Sequence, residues 1–229
     1  HIKPPPKKLK KNKKNEVYLL YCGIIVRDCQ KMENISMRII AGTARGTKLF
    51  SPPDDRIRPT GDRVKESLFS ILMNRLKDAV VLDLCCGTGA LGLEALSRGA
   101  KEAVFVDSSS ESLKLAKKNA EKTHLTHLGK WITAVLPNEI YKVPQNTYDL
   151  IFADPPYHKL ALELLKENNL SKLLTTDGWL ILEHDETEIL PDREGILQKF
   201  REKQFGKAKV SFYRLQIAND NAEEGTACE

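Results

Sequence analysis

The sequence predicts an α/β fold, a mostly parallel seven-stranded sheet with helices on both faces. Apolar runs of strand length alternate with stretches of helical periodicity, which is the pattern of such folds. The first of these runs leads through a glycine-rich turn into a helix, as in nucleotide-binding sheets. Two final stretches, 196–205 and 209–216, are expected to form a closing antiparallel pair. With 229 residues, 41% of them hydrophobic, the chain can bury such a core without disulfides.

The elements are expected in a simple order along the chain. A β-hairpin extension at 38–42 and 47–51 precedes a helix near 62–76, where apolar residues recur at helical spacing. Strands are predicted near 80–85, 103–107, 130–135, 148–153 and 178–184. Helices are predicted near 90–98, 110–122 and 159–174. We therefore expect an N-terminal hairpin, basic loop and helix over 37–78, a core over 79–217 and an acidic flexible tail over 218–229.

Residues 1–36 have a different composition from the rest. They hold nine Lys and Arg against three acids, whereas the remaining residues hold 27 against 28. The net charge of +5 therefore gives no general argument for nucleic-acid binding. A basic run followed by an apolar one has the outline of a signal peptide, but Arg27-Asp28-Cys29 is no cleavage site. We expect an extension that is disordered or foreign to the native protein, with an RNA-binding tail as the alternative.

Several classes of protein are disfavoured. No apolar run approaches the ~20 residues of a membrane helix. The five cysteines are odd in number and lack a C-x-x-C pair, so neither a disulfide framework nor a zinc site is supported. We expect a cytoplasmic protein with reduced thiols, no metal and no membrane partner.

The motif Asp154-Pro155-Pro156-Tyr157 directly follows the predicted strand 148–153. Proline has no N–H and a fixed φ, so we expect the carbonyls of Asp154 and Pro155 to accept hydrogen bonds from a ligand. Two such acceptors can draw a nucleobase amine towards a more nucleophilic geometry. Tyr157 would stack on the base, which is worth about 1–3 kcal/mol. The alternative is an ordinary turn between a strand and a loop.

A second motif lies at the end of the first predicted core strand. Gly87 and Gly89 permit a tight turn with close approach of a ligand, and Asp107 ends the next strand, where an acid can hold ribose hydroxyls. Gly87, Gly89 and Gly92 also match the dinucleotide fingerprint, so an oxidoreductase is an alternative. The acids favour a cofactor with an adenosine and a sulfonium over one with a pyrophosphate. Little chain is left for the substrate domain of an oxidoreductase.

These motifs resemble those of a known enzyme class. Asp83-Leu-Cys-Cys-Gly-Thr-Gly89 is similar to the first motif of class I S-adenosylmethionine-dependent methyltransferases, and Asp154 to Tyr157 is similar to the motif of their amino-methylating members. The segments 37–46, 48–53, 58–69, 89–100 and 205–214 resemble the bacterial 16S ribosomal RNA guanine-N2 methyltransferase family. The resemblance covers about residues 37–216 and implies the Rossmann-like fold of that class.

The resemblance implies a cofactor, a partner and a set of site residues. S-adenosylmethionine is the expected cofactor, and 16S ribosomal RNA, naked or in a partly assembled subunit, is the expected partner of a monomeric enzyme. The residues expected to bind the cofactor are Asp83, Cys85, Gly87, Gly89, Asp107 and Ser108. The residues expected in catalysis are Asp154, Pro155 and Tyr157. The alternatives are a methyltransferase that acts on an amine of DNA, such as adenine, or of another RNA, and a non-catalytic ribosome-assembly factor with this fold.

Two local features complete the prediction. Basic residues cluster ahead of the first core strand, where they could grip RNA phosphates or form a solvated face. The expected RNA-binding residues are Arg38, Arg45, Lys48, Arg56, Arg58 and Arg63. The region 131–138 contains no acid, although many relatives of this class place an Asp there to bind adenine. Backbone groups or Asn138 are expected to replace it.

Overall fold

One mixed sheet of eight strands organises the computed structural model, which describes residues 37–51, 62–145, 148–156, 160–167 and 169–216. The strands are β1 (Val80–Leu84), β2 (Glu102–Asp107), β3 (Gly129–Thr133), β4 (Tyr148–Ala153), β5 (Leu174–Asp185), β6 (Arg193–Glu194), β7 (Leu197–Phe205) and β8 (Ala208–Leu215). The helices are α1 (Asp62–Ile71), α2 (Ala90–Ser97), α3 (Ser110–Lys122) and α4 (Leu160–Lys166).

The strand order is β3-β2-β1-β4-β5-β8-β7-β6. Strands β1 to β5 are parallel, and β8, β7 and β6 follow as antiparallel neighbours. The predicted parallel sheet with a closing antiparallel pair is therefore confirmed, but the count of seven strands is wrong. The eighth strand, β6, pairs through only two residues, Arg193 with Gln198 and Glu194 with Leu197. Two residues give no periodicity, so the sequence pattern does not reveal this strand.

Some element boundaries also differ from the prediction. The helix expected over 159–174 is the shorter α4 followed by a 3-10 turn at Ser171–Leu173, and β5 begins at Leu174 rather than near 178. The helix expected to reach residue 76 ends at Ile71 and continues as a 3-10 turn, Met73–Arg75. The expected hairpin is reduced to one antiparallel bridge, Arg38 with Lys48, flanked by backbone hydrogen bonds. We call residues 37–51 the N-terminal segment.

Two apolar clusters cover the two faces of the sheet. Alternate strand residues belong to different clusters, as Val81 and Leu82 show, so the central strands are buried on both faces. One cluster includes apolar residues of the N-terminal segment, α1, α2 and α3, and the other includes those of α4. Among the described residues no helix is long and apolar enough to cross a membrane. The predictions for 1–36 and 218–229 fall outside the described part of the chain.

Candidate active site at the carboxyl edge of the sheet

Three strands end at the same level of the sheet. Leu84 of β1 pairs with Val106 of β2 on one side and with Ala153 of β4 on the other. The next residues along these strands are Cys85, Asp107 and Asp154. Since the strands are parallel, these three residues lie in a row at the carboxyl edge, where ligands bind in open α/β sheets. The two motifs found in the sequence therefore open onto one edge.

Residues 85–89, which we call the glycine turn, leave β1 with an unusual backbone. Cys85, Gly87 and Gly89 have φ values of +56°, +52° and +75°. Such values cost a glycine little, but they cost Cys85 about 1–2 kcal/mol. The N–H of Gly89 donates to the carbonyl of Cys86 at 2.7 Å, and α2 begins at the next residue. The turn therefore favours glycine at 87 and 89, and at Gly89 a Cβ would also lie 3.1 Å from the Cβ of Ala116.

Asp107 is half-buried and is fixed by two backbone groups. Its Oδ2 accepts the N–H of Gly87 at 2.9 Å, and its Oδ1 accepts the N–H of Ser109 at 2.8 Å. Each carboxylate oxygen has a second lone pair that can accept from a ligand hydroxyl. The neighbouring Ser108 is exposed. The carboxylate is therefore oriented beside the glycine turn, as a ribose-binding acid requires.

Asp83 lies beneath the glycine turn and is only 1% exposed. Its Oδ2 accepts the N–H of Gly92 in α2 at 2.9 Å. Burial raises the pKa of Asp83 well above its ordinary value, the Gly92 N–H opposes this rise, and Asp154 and Asp107 add to it. The geometry indicates that Asp83 supports the turn from within the core.

The carboxylates at this edge create a negative potential. Burial, followed by Asp107, Asp154 and Asp83 in decreasing order, raises the pKa of the Cys85 thiol to about 12. A raised pKa disfavours the thiolate form of Cys85, so the site gives no support to a thiolate nucleophile. The potential favours a cationic ligand such as a sulfonium and opposes a pyrophosphate.

The Asp-Pro-Pro corner follows β4 next to the glycine turn. The N–H of Asp154 donates to the carbonyl of Leu84 at 3.4 Å, which brings the end of β4 against the end of β1. Asp154 is half-buried, Pro155 is buried and Pro156 is exposed. Tyr157 lies outside the described residues, so its stacking role stays a prediction.

The N-terminal segment presents basic side chains on its outer side. Met37, Ile39 and Leu49 are buried, while Arg38 and Lys48 alternate with them and are exposed. Arg38 and Lys48 are bridge partners, so their side chains share one face of the ladder. Three expected RNA-binding residues, Arg38, Arg45 and Lys48, are thus displayed on one exposed segment.

The remaining expected basic residues fall into two groups. Arg63, in the first turn of α1, is exposed, and its neighbour Asp62 pairs with Arg38 at 2.9 Å. This places Arg63 near the N-terminal segment. Arg56 and Arg58 lie outside the described part of the chain. We call Arg38, Arg45, Lys48 and Arg63 the basic face.

Sequence reasoning missed the buried polar residues that attach the N-terminal segment to α2. Glu94 is fully buried, and its carboxylate accepts the N–H groups of Ile40 at 2.7 Å and Ala41 at 3.0 Å. Ser97 donates to the carbonyl of Ala41 and accepts the N–H of Ala44. Both residues lie in the otherwise apolar helix sequence Ala90–Ser97. A polar residue in such a helix was the available signal.

Two further charged residues lie beside segments named in the sequence analysis. Lys122, at the end of α3, places its Nζ 4.2 Å from the centroid of the Phe50 ring, so it adds a positive charge near the N-terminal segment. Glu139 lies just beyond the region in which the sequence lacks an acid, and its Oε2 accepts the N–H of Val135. Bonds from Lys142 and from Val135 lower the pKa of Glu139. Asn138 is exposed. Among the described residues, no cluster of His, Cys, Asp and Glu side chains is arranged to hold a metal ion.

A five-stranded parallel sheet closed by an antiparallel pair, with its site at the carboxyl edge, is the architecture of class I methyltransferases. The model of the family described as "Conserved hypothetical protein 95" matches residues 37–214. The chain belongs to this family, and the resemblance to bacterial 16S ribosomal RNA methyltransferases is confirmed. S-adenosylmethionine is the cofactor of this class of enzyme, as the sequence predicts.

Individual relatives support the same assignment. The chain is 36% identical to "Ribosomal RNA small subunit methyltransferase D" of Haemophilus influenzae over 177 residues, which cover 69% of this chain and 92% of the relative. It is 32% identical to the protein of the same name from Escherichia coli K12 over 193 residues, covering 81% and 93%. A solved structure of the Escherichia coli protein yhhF has a TM-score of 0.68 at 30% identity, covering 80% of this chain and 99% of that one.

Proposed function

We propose that this protein transfers a methyl group from S-adenosylmethionine to the exocyclic N2 amine of a guanine in 16S ribosomal RNA. The observation that carries the proposal is the register that sets Asp154 level with Asp107 beside the glycine turn. The similarity to two proteins named for small-subunit ribosomal RNA methylation supports the substrate. We propose that the enzyme acts as a monomer in the cytoplasm.

The residues at the carboxyl edge fit S-adenosylmethionine, which supplies an electrophilic methyl group on a cationic sulfur when bound. Asp107 would accept the ribose hydroxyls, because its carboxylate is already oriented by Gly87 and Ser109. The backbone of the glycine turn and Cys85 would line the site, and Ser108 would lie at its rim. Asp83 would hold the turn in place from below. Backbone groups of 134–136 or Asn138 would recognise adenine.

The amine would be held by acceptors at the end of β4. The carboxylate of Asp154 and the carbonyl of Pro155 would accept hydrogen bonds from the two amine N–H groups, and this would turn the nitrogen lone pair out of the base plane. As the nitrogen takes the methyl group, S-adenosylhomocysteine would leave with the electrons of the broken S–C bond, and the methylated amine would lose one proton to the Asp154 carboxylate or to water. The predicted stacking of Tyr157 would fix the base. Positioning and electrostatic preorganisation would supply most of the rate, so a strong general base is unnecessary.

The basic face would grip the RNA backbone. Arg38, Arg45, Lys48 and Arg63 would contact phosphates, with Lys122 at its margin, and the attraction would weaken as salt rises. Arg56 and Arg58 are proposed for the same role from the sequence. A paired guanine cannot present its amine to Asp154, so the target would be unpaired or flipped out.

The test is methylation of unmodified 16S ribosomal RNA by the purified protein, followed by nucleoside mass spectrometry. The RNA should be supplied both naked and as partly assembled small subunits. N2-methylguanosine is the expected product. N6-methyladenosine would contradict the proposed amine, and the absence of a methylated nucleoside from both substrates would favour a non-catalytic assembly factor.

A further inference from the structure

Asn119 is a fully buried amide in α3 that is bonded to two distant parts of the chain. Its Oδ1 accepts the N–H of Phe50 at 2.7 Å, and its Nδ2 donates to the carbonyl of Phe50 at 3.1 Å. The same Nδ2 donates to the carbonyl of Thr88 at 3.0 Å. Phe50 belongs to the N-terminal segment and Thr88 to the glycine turn. One side chain therefore joins the segment that carries the basic face to the turn that binds the cofactor.

The partners of Asn119 explain its residue type. One backbone donor and two backbone acceptors surround the side chain, and an amide supplies one acceptor oxygen and two N–H donors. Leucine would leave all three backbone groups without this partner, and the bond to the Thr88 carbonyl is buried. Aspartate would place a carboxylate against two carbonyls. The orientation of the amide also follows from this arrangement, since the reverse one would oppose like groups.

The contact with Thr88 reaches the cofactor site directly. Thr88 lies between Gly87 and Gly89, and the N–H of Gly87 donates to Asp107. The hydroxyl of Thr88 also lies 3.9 Å from the sulfur of Met37. One end of the N-terminal segment therefore contacts Thr88 directly through Met37, and the other end reaches it through Asn119. A shift of this segment would move the turn to which Asp107 is bonded.

We propose that Asn119 is the positioning residue through which the N-terminal segment and the glycine turn set each other's geometry, so that RNA binding and cofactor binding strengthen one another. The inference rests on the proposed function, which places RNA on the basic face. A ligand that orders one side of a shared contact lowers the conformational cost of ordering the other side. Thermodynamic linkage requires the same factor in both directions.

The experiment measures the affinity of S-adenosylhomocysteine by calorimetry, with and without saturating unmodified 16S ribosomal RNA, supplied in the form, naked or partly assembled, that the wild-type protein methylates. This ligand has no methyl group to transfer, so no turnover occurs. In the wild-type protein the RNA should lower the dissociation constant of S-adenosylhomocysteine about fivefold or more. In Asn119→Ala the ratio of the two affinities should fall to less than half its wild-type value, because the bonds to Phe50 and Thr88 are lost while the weaker Met37–Thr88 contact and the bonds to α2 remain.

Thr123→Val is the matched control. Thr123 is buried directly after α3, one turn beyond Asn119. Its hydroxyl donates to the carbonyls of Asn119 and Ala120, so its bonds stay at the end of that helix. This variant should retain the wild-type ratio. If Asn119→Ala fails to fold, Asn119→Asp provides a second test, since it keeps the acceptor for Phe50 and loses both donors. Its ratio should also fall towards one.

The outcomes separate this inference from the proposed function. If the wild-type protein methylates RNA but its affinity for S-adenosylhomocysteine is the same with and without RNA, the inference is overturned and the proposed function stands. A folded Asn119→Ala that keeps the wild-type ratio also overturns it, because Asn119 would then be only structural. If the wild-type protein neither binds nor methylates 16S ribosomal RNA in either form, the inference and the proposed function are both contradicted.

Discussion

The two layers that cover the sheet are held together in different ways. The layer with the N-terminal segment, α1, α2 and α3 contains buried polar residues, namely Lys65, Asp83, Thr88, Glu94, Ser97, Asn119 and Thr123. We call this the polar layer. In the opposite layer, which contains α4 and which we call the apolar layer, the buried polar side chains of the described residues are His184 and Ser211. Apolar packing is non-directional, whereas hydrogen bonds fix atoms at particular distances. The layer with the stricter geometry is the one that positions the glycine turn and the basic face.

The largest expected effect comes from removing the buried carboxylate of the polar layer. Glu94→Ala leaves the N–H groups of Ile40 and Ala41 unpaired. It also removes the ion-pair partner of Arg98, whose Nε lies 2.7 Å from Glu94. Loss of one partner of a buried ion pair costs about 3–5 kcal/mol. We expect this loss in urea unfolding. We also expect cofactor affinity to fall about threefold to thirtyfold, because α2 begins at the glycine turn.

Leu173→Ala in the apolar layer is the matched comparison. Leu173 is fully buried ahead of β5, at the end of that strand remote from the carboxyl edge. Its truncation should lower the free energy of unfolding by a similar amount, about 2–5 kcal/mol. Cofactor affinity should stay within about twofold of wild type. Equal losses of affinity in both variants would show that the two layers do not differ in this respect.

Two glycines of the N-terminal segment provide a comparison with smaller expected losses of stability. Gly42 and Gly46 have φ values of +87° and +83°, but a Cβ on Gly42 would lie 1.7 Å from the carbonyl oxygen of Ser97, and one on Gly46 would meet nothing within 4 Å. Gly46→Ala should cost about 1–2 kcal/mol from backbone strain alone. Gly42→Ala should cost about 3 kcal/mol or more, because the segment must also leave α2. Chemical denaturation measures both, and equal costs would contradict the close contact with α2.

The smallest expected effect concerns His184 and Ser211, the two buried polar residues of the layer that contains α4. The Nε2 of His184 lies 2.9 Å from the Ser211 hydroxyl, and its Nδ1 lies 3.1 Å from the carbonyl of Asp185. Burial lowers the pKa of His184 below 6.5, although Asp185, Glu202 and Glu188 oppose the shift. As pH falls from 6.5 to the lower pKa of the folded state, only the unfolded chain gains this proton, so stability is lost.

The measurement is thermal unfolding of the wild-type protein and His184→Gln between about pH 8 and pH 5.5. The variant should lose less stability than wild type below pH 6.5, the ordinary histidine value. Parallel pH profiles for the two proteins would show that His184 does not contribute to this loss.

Much of the fold could be predicted because its signals are local. The parallel strands are apolar runs between turn residues, and Gly87, Gly89 and Asp154-Pro155-Pro156 mark where two of them end. The missed strand β6 has only two residues, and its pairing depends on the position of β7. The start of β5 depends on pairing as well, since Leu174 joins Tyr148 across a register shift.

The candidate site was less predictable where its residues act at a distance. Asp107 and Asp154 follow strand ends, so their positions are implied by the sheet. Asn119 and Glu94 gave only the signal of a polar residue on a buried helix face. Their partners, Phe50 and Ile40, are more than 50 positions away in the chain. No local pattern identifies such contacts.

The most direct test of the account is the response of Asp154→Ala in two assays. One assay measures the rate of methyl transfer to unmodified 16S ribosomal RNA, and the other measures the affinity for S-adenosylhomocysteine by calorimetry. We expect a rate reduced about 100-fold or more with affinity within about twofold of wild type, because in the proposed mechanism Asp154 holds the amine and Asp107 holds the cofactor. Methyl transfer at the wild-type rate in this variant would contradict it.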